Sequence, residues 1–226
     1  MNSQSLNNPY QTKEQISDWN YKVYRGIDTR TQENVVIKEI STMTEFNGFP
    51  SKILREIAIL KQLQHPNIVI FIEAYFSNKG LENESEGAKY LRLVFESMKT
   101  DLRMFISRAK LIQFPLIRSY AFQLLCAIAY IHSQGIVHRS ITPDNILINA
   151  NGILKISGFS NSRPDSIPES MMTPNVTYTF YRSPEAILNP SFYGQPSDIW
   201  SAACVIGELV MRRVLFPGDS EIDQIM

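Results

Sequence analysis

Apolar and polar residues alternate along "YKVYRGI" (21–27) and again along "VVIKEI" (35–40), with the polar run "DTRTQEN" between them. A period of two puts alternate side chains on one face, so the pattern predicts two strands joined by a turn. The period then lengthens. In "PSKILREIAILKQL" (50–63) the residues Ile53, Leu54, Ile57, Ile59, Leu60 and Leu63 recur at helical spacing behind a Pro-Ser start, which predicts a helix with one buried stripe. "NIVIFIEAYF" and "YLRLVFES" read as strands on either side of "SNKGLENESEGAK", a polar, glycine-containing loop. After Met98 helical periodicity takes over in "TDLRMFISRAK" and "PLIRSYAFQLLCAIAYIHSQ", and Gly135 ends the second of these. "GIVHRS", "NILIN" and "ILKIS" are short strand-like pieces, and there is no internal repeat. The pattern predicts an α+β chain in three parts: a frayed polar tail over 1–15, a β-rich lobe over 16–97 with one main helix, and a mostly helical lobe over 98–226. The linker falls near "ESMKTD" (96–101), with a cleft between the lobes.

Composition narrows the function. Among 226 residues, 44% are hydrophobic, enough for a sizeable core. Twenty-two Lys and Arg balance 22 Asp and Glu, so no overall field draws the chain to nucleic acid or to an anionic membrane. Cys126 and Cys204 lie far apart in apolar surroundings and read as buried thiols, which fits an intracellular, cytoplasmic or nuclear setting. The apolar run "IWSAACVIGELV" is too short to span a bilayer and contains Glu208, and the N-terminus lacks a signal peptide's apolar region. No His or Cys pair has metal-ligand spacing; His65 and His138 read as structural, and His132 as facing apolar neighbours on its helix.

Six motifs follow one another in an order that resembles the protein kinases, and among them the cyclin-dependent kinases of the CMGC group. "VVIK" resembles the strand of the ATP lysine, and "PSKILRE" the PSTAIRE helix. "LVFES" resembles the hinge, "YRSPE" the YRAPE motif, "SDIWSAAC" the Asp-x-Trp-Ser helix start, and "RRVLFPGDSEIDQI" a stretch of nearly identical text. The resemblance runs from about Tyr21 to the end and implies a two-lobed protein-kinase fold. Because relatives continue past that last motif, it also implies a C-lobe missing its final helices and an arginine partner for Glu185, so that the chain alone is expected to be unstable.

Phosphoryl transfer consists mostly of positioning and charge neutralisation, and each part has a position here. Lys38 and Glu56 match the ATP lysine and its glutamate. "VHRSITPDNILIN" matches the catalytic loop, but Ser140 stands for the catalytic Asp and Thr142 for the lysine that steadies the transferred phosphate. A serine hydroxyl with no evident base accepts no proton at neutral pH. In "ISGFSNS", Gly158 replaces the metal-binding Asp of Asp-Phe-Gly and Ser160 its Gly; the retained Asn145 is one neutral amide where a hard cation prefers carboxylates. An ungapped count back from Lys38 sets the three phosphate-loop glycines on Ile16, Asp18 and Tyr21, and no glycine precedes Gly26. The combined deficit is at least about 10⁴-fold in rate. Asp144 is the one nearby carboxylate that could substitute for the missing base.

At the adenine end the resemblance assigns Phe95 as gatekeeper, Glu96 and Met98 as the backbone groups facing adenine, Asp101 as a ribose contact and Leu147 as the floor. It leaves room for ATP bound without strong Mg²⁺ dependence and requires no cofactor. It also implies a phospho-switch in which Arg55, Arg139 and Arg163 grip a phosphorylated Thr173, and a cyclin-like protein partner whose choice is altered by Lys52 and Ile53. Trp19 and Asn20 stand where the family carries an inhibitory Thr-Tyr pair. Asp198 should brace the catalytic loop, and Trp200 should lie in the core. The expected function is that of a kinase-fold pseudoenzyme that binds proteins. A weakly active Ser/Thr kinase and a non-functional truncated remnant remain as alternatives.

Overall fold

The computed structural model describes residues 9–17, 21–41, 51–77, 81, 90–165, 178–189 and 194–226. The chain divides into two compact units, Met1–Pro50 with Ile70–Ser97, and Ser51–Val69 with Met98–Met226.

The first unit is a five-stranded antiparallel sheet in the order β1-β2-β3-β5-β4. Its strands are β1 (Tyr10–Ser17), β2 (Lys22–Asp28), β3 (Asn34–Ser41), β4 (Phe71–Ser77) and β5 (Tyr90–Glu96). The first strand corrects the expectation of a frayed tail over 1–15, although residues 1–8 lie outside the described residues. "YQTKEQIS" is an edge strand whose side chains, Tyr10 apart, are mostly exposed, so it lacks the apolar alternation that marks a half-buried strand. Tertiary contacts hold it. The Tyr10 ring stacks on Tyr75 with centroids 5.7 Å apart, its hydroxyl donates to Glu73, and Arg30 Nη2 donates to that hydroxyl at 2.7 Å. Gly26 on β2 has a structural reason: a Cβ there would stand 2.7 Å from the Gln11 carbonyl oxygen of β1.

One face of this sheet is apolar around Tyr10, Val35, Ile37 and Val94, with Tyr75 and Leu81 packed against them. Glu39 and Arg92 interrupt it as a directly opposed cross-strand pair. Their side chains are only 4% and 3% exposed, Arg92 Nε donates to Glu39 Oε2 at 2.9 Å, and the Leu81 N–H donates to the same oxygen at 3.2 Å.

The second unit starts with α1 (Ser51–Gln62), which sorts with this unit and not with the β-rich part where the sequence placed it. Ile53, Ile59, Leu60 and Leu63 are buried as the helical stripe requires, but Leu54 is 54% exposed. Helix α2 (Leu102–Arg108) and helix α3 (Phe114–Ser133) follow; α3 packs against α5 (Gln195–Met211) and against strand β9 (Leu154–Ile156). Helix α3 is longer than the apolar run expected to be the longest, and by length and composition it could cross a membrane. Here its face of Ile117, Tyr120, Leu124, Ala127, Ile128 and Ile131 is buried. Two short antiparallel pairings, β6 (Thr100–Asp101) with β8 (Ile146–Ile148) and β7 (Ile136–Val137) with β10 (Arg163–Pro164), frame the loops that carry the site. Helices α4 (Pro184–Leu188) and α6 (Glu221–Ile225) complete the unit. Glu185 is half-buried and Ser197 donates to its Oε1 at 3.0 Å, so its carboxylate is not left bare as the sequence reading expected.

Candidate active site

The loop after β7 is suspended from one carboxylate. Asp198, in the first turn of α5 and fully buried, accepts from the His138 N–H at Oδ2 and from the Arg139 N–H at Oδ1, both at 2.8 Å. It therefore braces the loop from below, as expected. Its Oδ2 also lies 2.9 Å from His132 Nε2, so His132 meets this carboxylate and not only apolar neighbours. Arg139 is held at φ 66°, a left-handed conformation that costs a non-glycine residue free energy and persists because its surroundings fix it.

His138 has a defined tautomer. The Ser140 N–H donates to Nδ1 at 3.2 Å, so the ring proton sits on Nε2 and is donated to the Ser157 carbonyl at 2.9 Å. The ring meets Phe159 edge-on with centroids 4.7 Å apart. Burial holds its pKa below the ordinary histidine value. Because the folded value lies below the unfolded one, the stabilisation is complete above the unfolded pKa of about 6.5 and is lost as pH falls towards the folded value. Unfolding free energy should fall below about pH 6.5 by up to about 1.4 kcal/mol per pH unit for this group, and less in His138→Gln. Denaturant titrations at pH 7.5, 6.5 and 5.5 check it; equal slopes in both proteins would contradict it.

Three of the expected catalytic positions meet directly. The Asn145 amide, from the 3-10 turn Pro143–Asn145, donates through Nδ2 to the Ser140 carbonyl at 2.9 Å and to its Oγ at 3.0 Å. Gly158, at φ 80°, faces the same amide so closely that a Cβ would stand 2.4 Å from Asn145 Oδ1. The Asn145 side chain thus occupies the space in which a side chain at position 158 would begin. Thr142 is buried and brings no cationic group. Asp144 is committed elsewhere: Arg103 Nε donates to Oδ1 at 2.7 Å and Nη2 to Oδ2 at 2.9 Å, a bidentate pair that raises the arginine's pKa. Arg103 also donates to the Tyr181 hydroxyl at 2.9 Å, and Tyr181 donates to Glu208 at 2.6 Å, joining α2, the 3-10 turn and α5. Nothing in the sequence around Arg103 signalled this hub.

A divalent metal, which a kinase fold implies, does not fit this set. Position 158 offers no ligand, the Asn145 amide is turned to Ser140, and Asp144 is paired. Among the described residues no cluster of three or more His, Cys, Asp and Glu could hold a metal ion.

The nucleotide-end positions fall in both units. In the first, Lys38 lies on β3 with its ammonium 4.4 Å from the Tyr21 ring centroid. Phe95 meets Phe71 edge-on at 5.7 Å, and Glu96 bonds Ile70 twice: its N–H donates to the Ile70 carbonyl at 3.1 Å, and its Oε1 accepts from the Ile70 N–H at 2.7 Å. In the second, Glu56 and Met98 are buried, and Leu147 pairs with Asp101 and Lys155 across its strands. Asp101, expected at the ribose, is the N-cap of α2 and accepts from the Met104 N–H at 2.7 Å. Ile16 lies within β1, whereas Asp18, Trp19, Asn20 and Thr173 lie outside the described residues. Arg139 is fully buried, Arg163 nearly so, and Arg55 places its Nη1 in a buried position without a hydrogen-bond partner among the described residues.

His65 caps a turn, with Nδ1 accepting from the Asn67 N–H at 3.1 Å, and stacks on Tyr130. Trp200 is half-buried and stacks on Phe216 at 5.8 Å. Cys126 and Cys204 are free thiols; burial pushes Cys204 up to about 11, which keeps it an inert thiol.

A β-sheet unit, a mainly helical unit and a catalytic-type loop suspended from a helix-start aspartate form the α+β arrangement of a kinase domain, and the family model for the protein kinase domain matches residues 10–226. The chain belongs to the protein kinase domain family.

Proposed function

We propose that this kinase-fold chain is a pseudoenzyme of the cyclin-dependent-kinase type that acts by binding other proteins and not by transferring phosphate. The observation that carries the reading is the closure of the former metal site: Asn145 donates to Ser140 and fills the space beside Gly158. Restoring one carboxylate therefore does not restore the site, because Asn145 must first leave its two hydrogen bonds. Asp144, the substitute base that the sequence offers, is held by Arg103.

Adenine nucleotide, if bound, is held without a metal requirement. A protein partner meets the outer side of α1, where Lys52 and Leu54 are exposed; Ile53, expected to alter that surface, is turned into the core. Arg55, Arg139 and Arg163 supply the cationic groups for a phosphorylated Thr173 that orders the adjoining segment. The setting is intracellular, cytoplasmic or nuclear, away from nucleic acid and membrane.

The test is phosphoryl transfer by the purified chain with ATP and Mg²⁺, to itself and to a generic protein substrate. The expected rate lies below about 1% of a kinase turnover of about 1–100 s⁻¹, and Ser140→Asp alone leaves it there. A wild-type rate above that bound would make the chain a weakly active Ser/Thr kinase. Nucleotide-dependent thermal shifts should be the same with Mg²⁺ and with a chelator.

A further inference from the structure

The hairpin of β2 and β3 places Tyr21 against Lys38. Val23 pairs directly with Lys38, and Lys22 with Glu39, so the register carried one step further sets Tyr21 opposite Ile40. Tyr21, Val23 and Lys38 therefore share one face, and Tyr21 is the diagonal neighbour of Lys38, a separation that an aromatic ring and a long side chain bridge. The Lys38 ammonium does lie over the Tyr21 ring, 4.4 Å from its centroid, well within the range of a cation–π contact. Both side chains are half-buried, so the contact is partly shielded from water. No residue before Gly26 is a glycine, and Gly26 itself packs against the Gln11 carbonyl of β1.

We infer that Tyr21 is an internal cap on Lys38: its ring covers one side of the ammonium and lowers the affinity of this lysine for polyphosphate anions. The inference deepens the reading of a metal-independent nucleotide site and rests on it. A phosphate that reaches Lys38 must displace the ring, so its affinity is reduced by the population of the capped state.

The experiment measures binding of tripolyphosphate, ADP and adenosine by calorimetry in the presence of a chelator, for the full chain and for Tyr21→Phe, Tyr21→Leu and Tyr21→Ala. The Phe variant keeps the ring and should match the wild type. Leu keeps bulk but lacks the ring's negative face; Leu and Ala should both bind tripolyphosphate and ADP about 2- to 30-fold more tightly. Adenosine affinity should not change, which separates the phosphate from the base. Lys38→Met added to Tyr21→Ala should abolish the gain. Should Leu or Ala bind polyphosphate no better than wild type, or Phe bind as Ala does, the cap does not exist. Fluorescence melting of each variant confirms that it is folded. The pseudoenzyme reading fails on a different readout, phosphoryl transfer with Mg²⁺, so the two failures are distinguishable.

Discussion

Glu39→Ala should destabilise the sheet unit by about 3–5 kcal/mol. The reason is the charge left behind. Arg92 is 3% exposed, and its guanidinium would lose its buried carboxylate partner while the Leu81 N–H lost an acceptor. The neighbouring Tyr75 ring, 5.7 Å from the guanidinium carbon, offsets only a fraction of that. Removing both charges has the opposite character: Glu39→Leu with Arg92→Met replaces an expensive desolvated pair by apolar contacts and should lie near the wild type or above it. Denaturant unfolding combined with hydrogen exchange on β3 and β5 reads the effect in the unit where it arises. Equal stability of Glu39→Ala and the wild type would show that the pair is not coupled to folding.

Asp198→Ala should cost about 2–6 kcal/mol in the other unit, since it strips acceptors from two buried backbone N–H groups, at about 1–3 kcal/mol each. The amides concerned are those of His138 and Arg139, and they exchange much faster once the carboxylate is gone. At roughly 2–4 °C per kcal/mol for a chain of this size, the melting temperature falls by about 4–24 °C. Asp198→Asn retains one acceptor oxygen and should lose less. Because Arg139 is held at φ 66° only by its surroundings, the loop relaxes in the Ala variant, and the hydrogen bonds between Asn145 and Ser140 should loosen with it. Unchanged exchange at Arg139 would mean that the loop holds itself without the brace.

Much of the fold is legible in local pattern. Strands β2, β3 and β5 and helices α1, α2 and α3 follow from periods of two and 3.6, because burial of one face acts on every residue of such a segment. Strand β1 does not, since its exposed polar side chains leave only backbone pairing and Tyr10 to hold it. Leu54 matched the helical stripe and is nevertheless exposed: periodicity says that residues share a face, but not how wide a strip the neighbours cover.

The candidate site divides in the same way. That Ser140, Thr142 and Gly158 stand where kinase motifs carry a proton acceptor, a phosphate-steadying lysine and a metal ligand is what the resemblance implies, and the order of residues along the chain by itself determined that expectation, together with the helix-start Asp198 and the kinase-type fold. Only the tertiary structure decided what became of the vacated positions. It turned Asn145 onto Ser140, closed Asp144 onto Arg103 from 41 residues away, and paired Glu39 with Arg92 across 53 residues. Side-chain hydrogen bonds and ion pairs act over a few ångströms, and sequence separation does not encode such distances until the chain has folded.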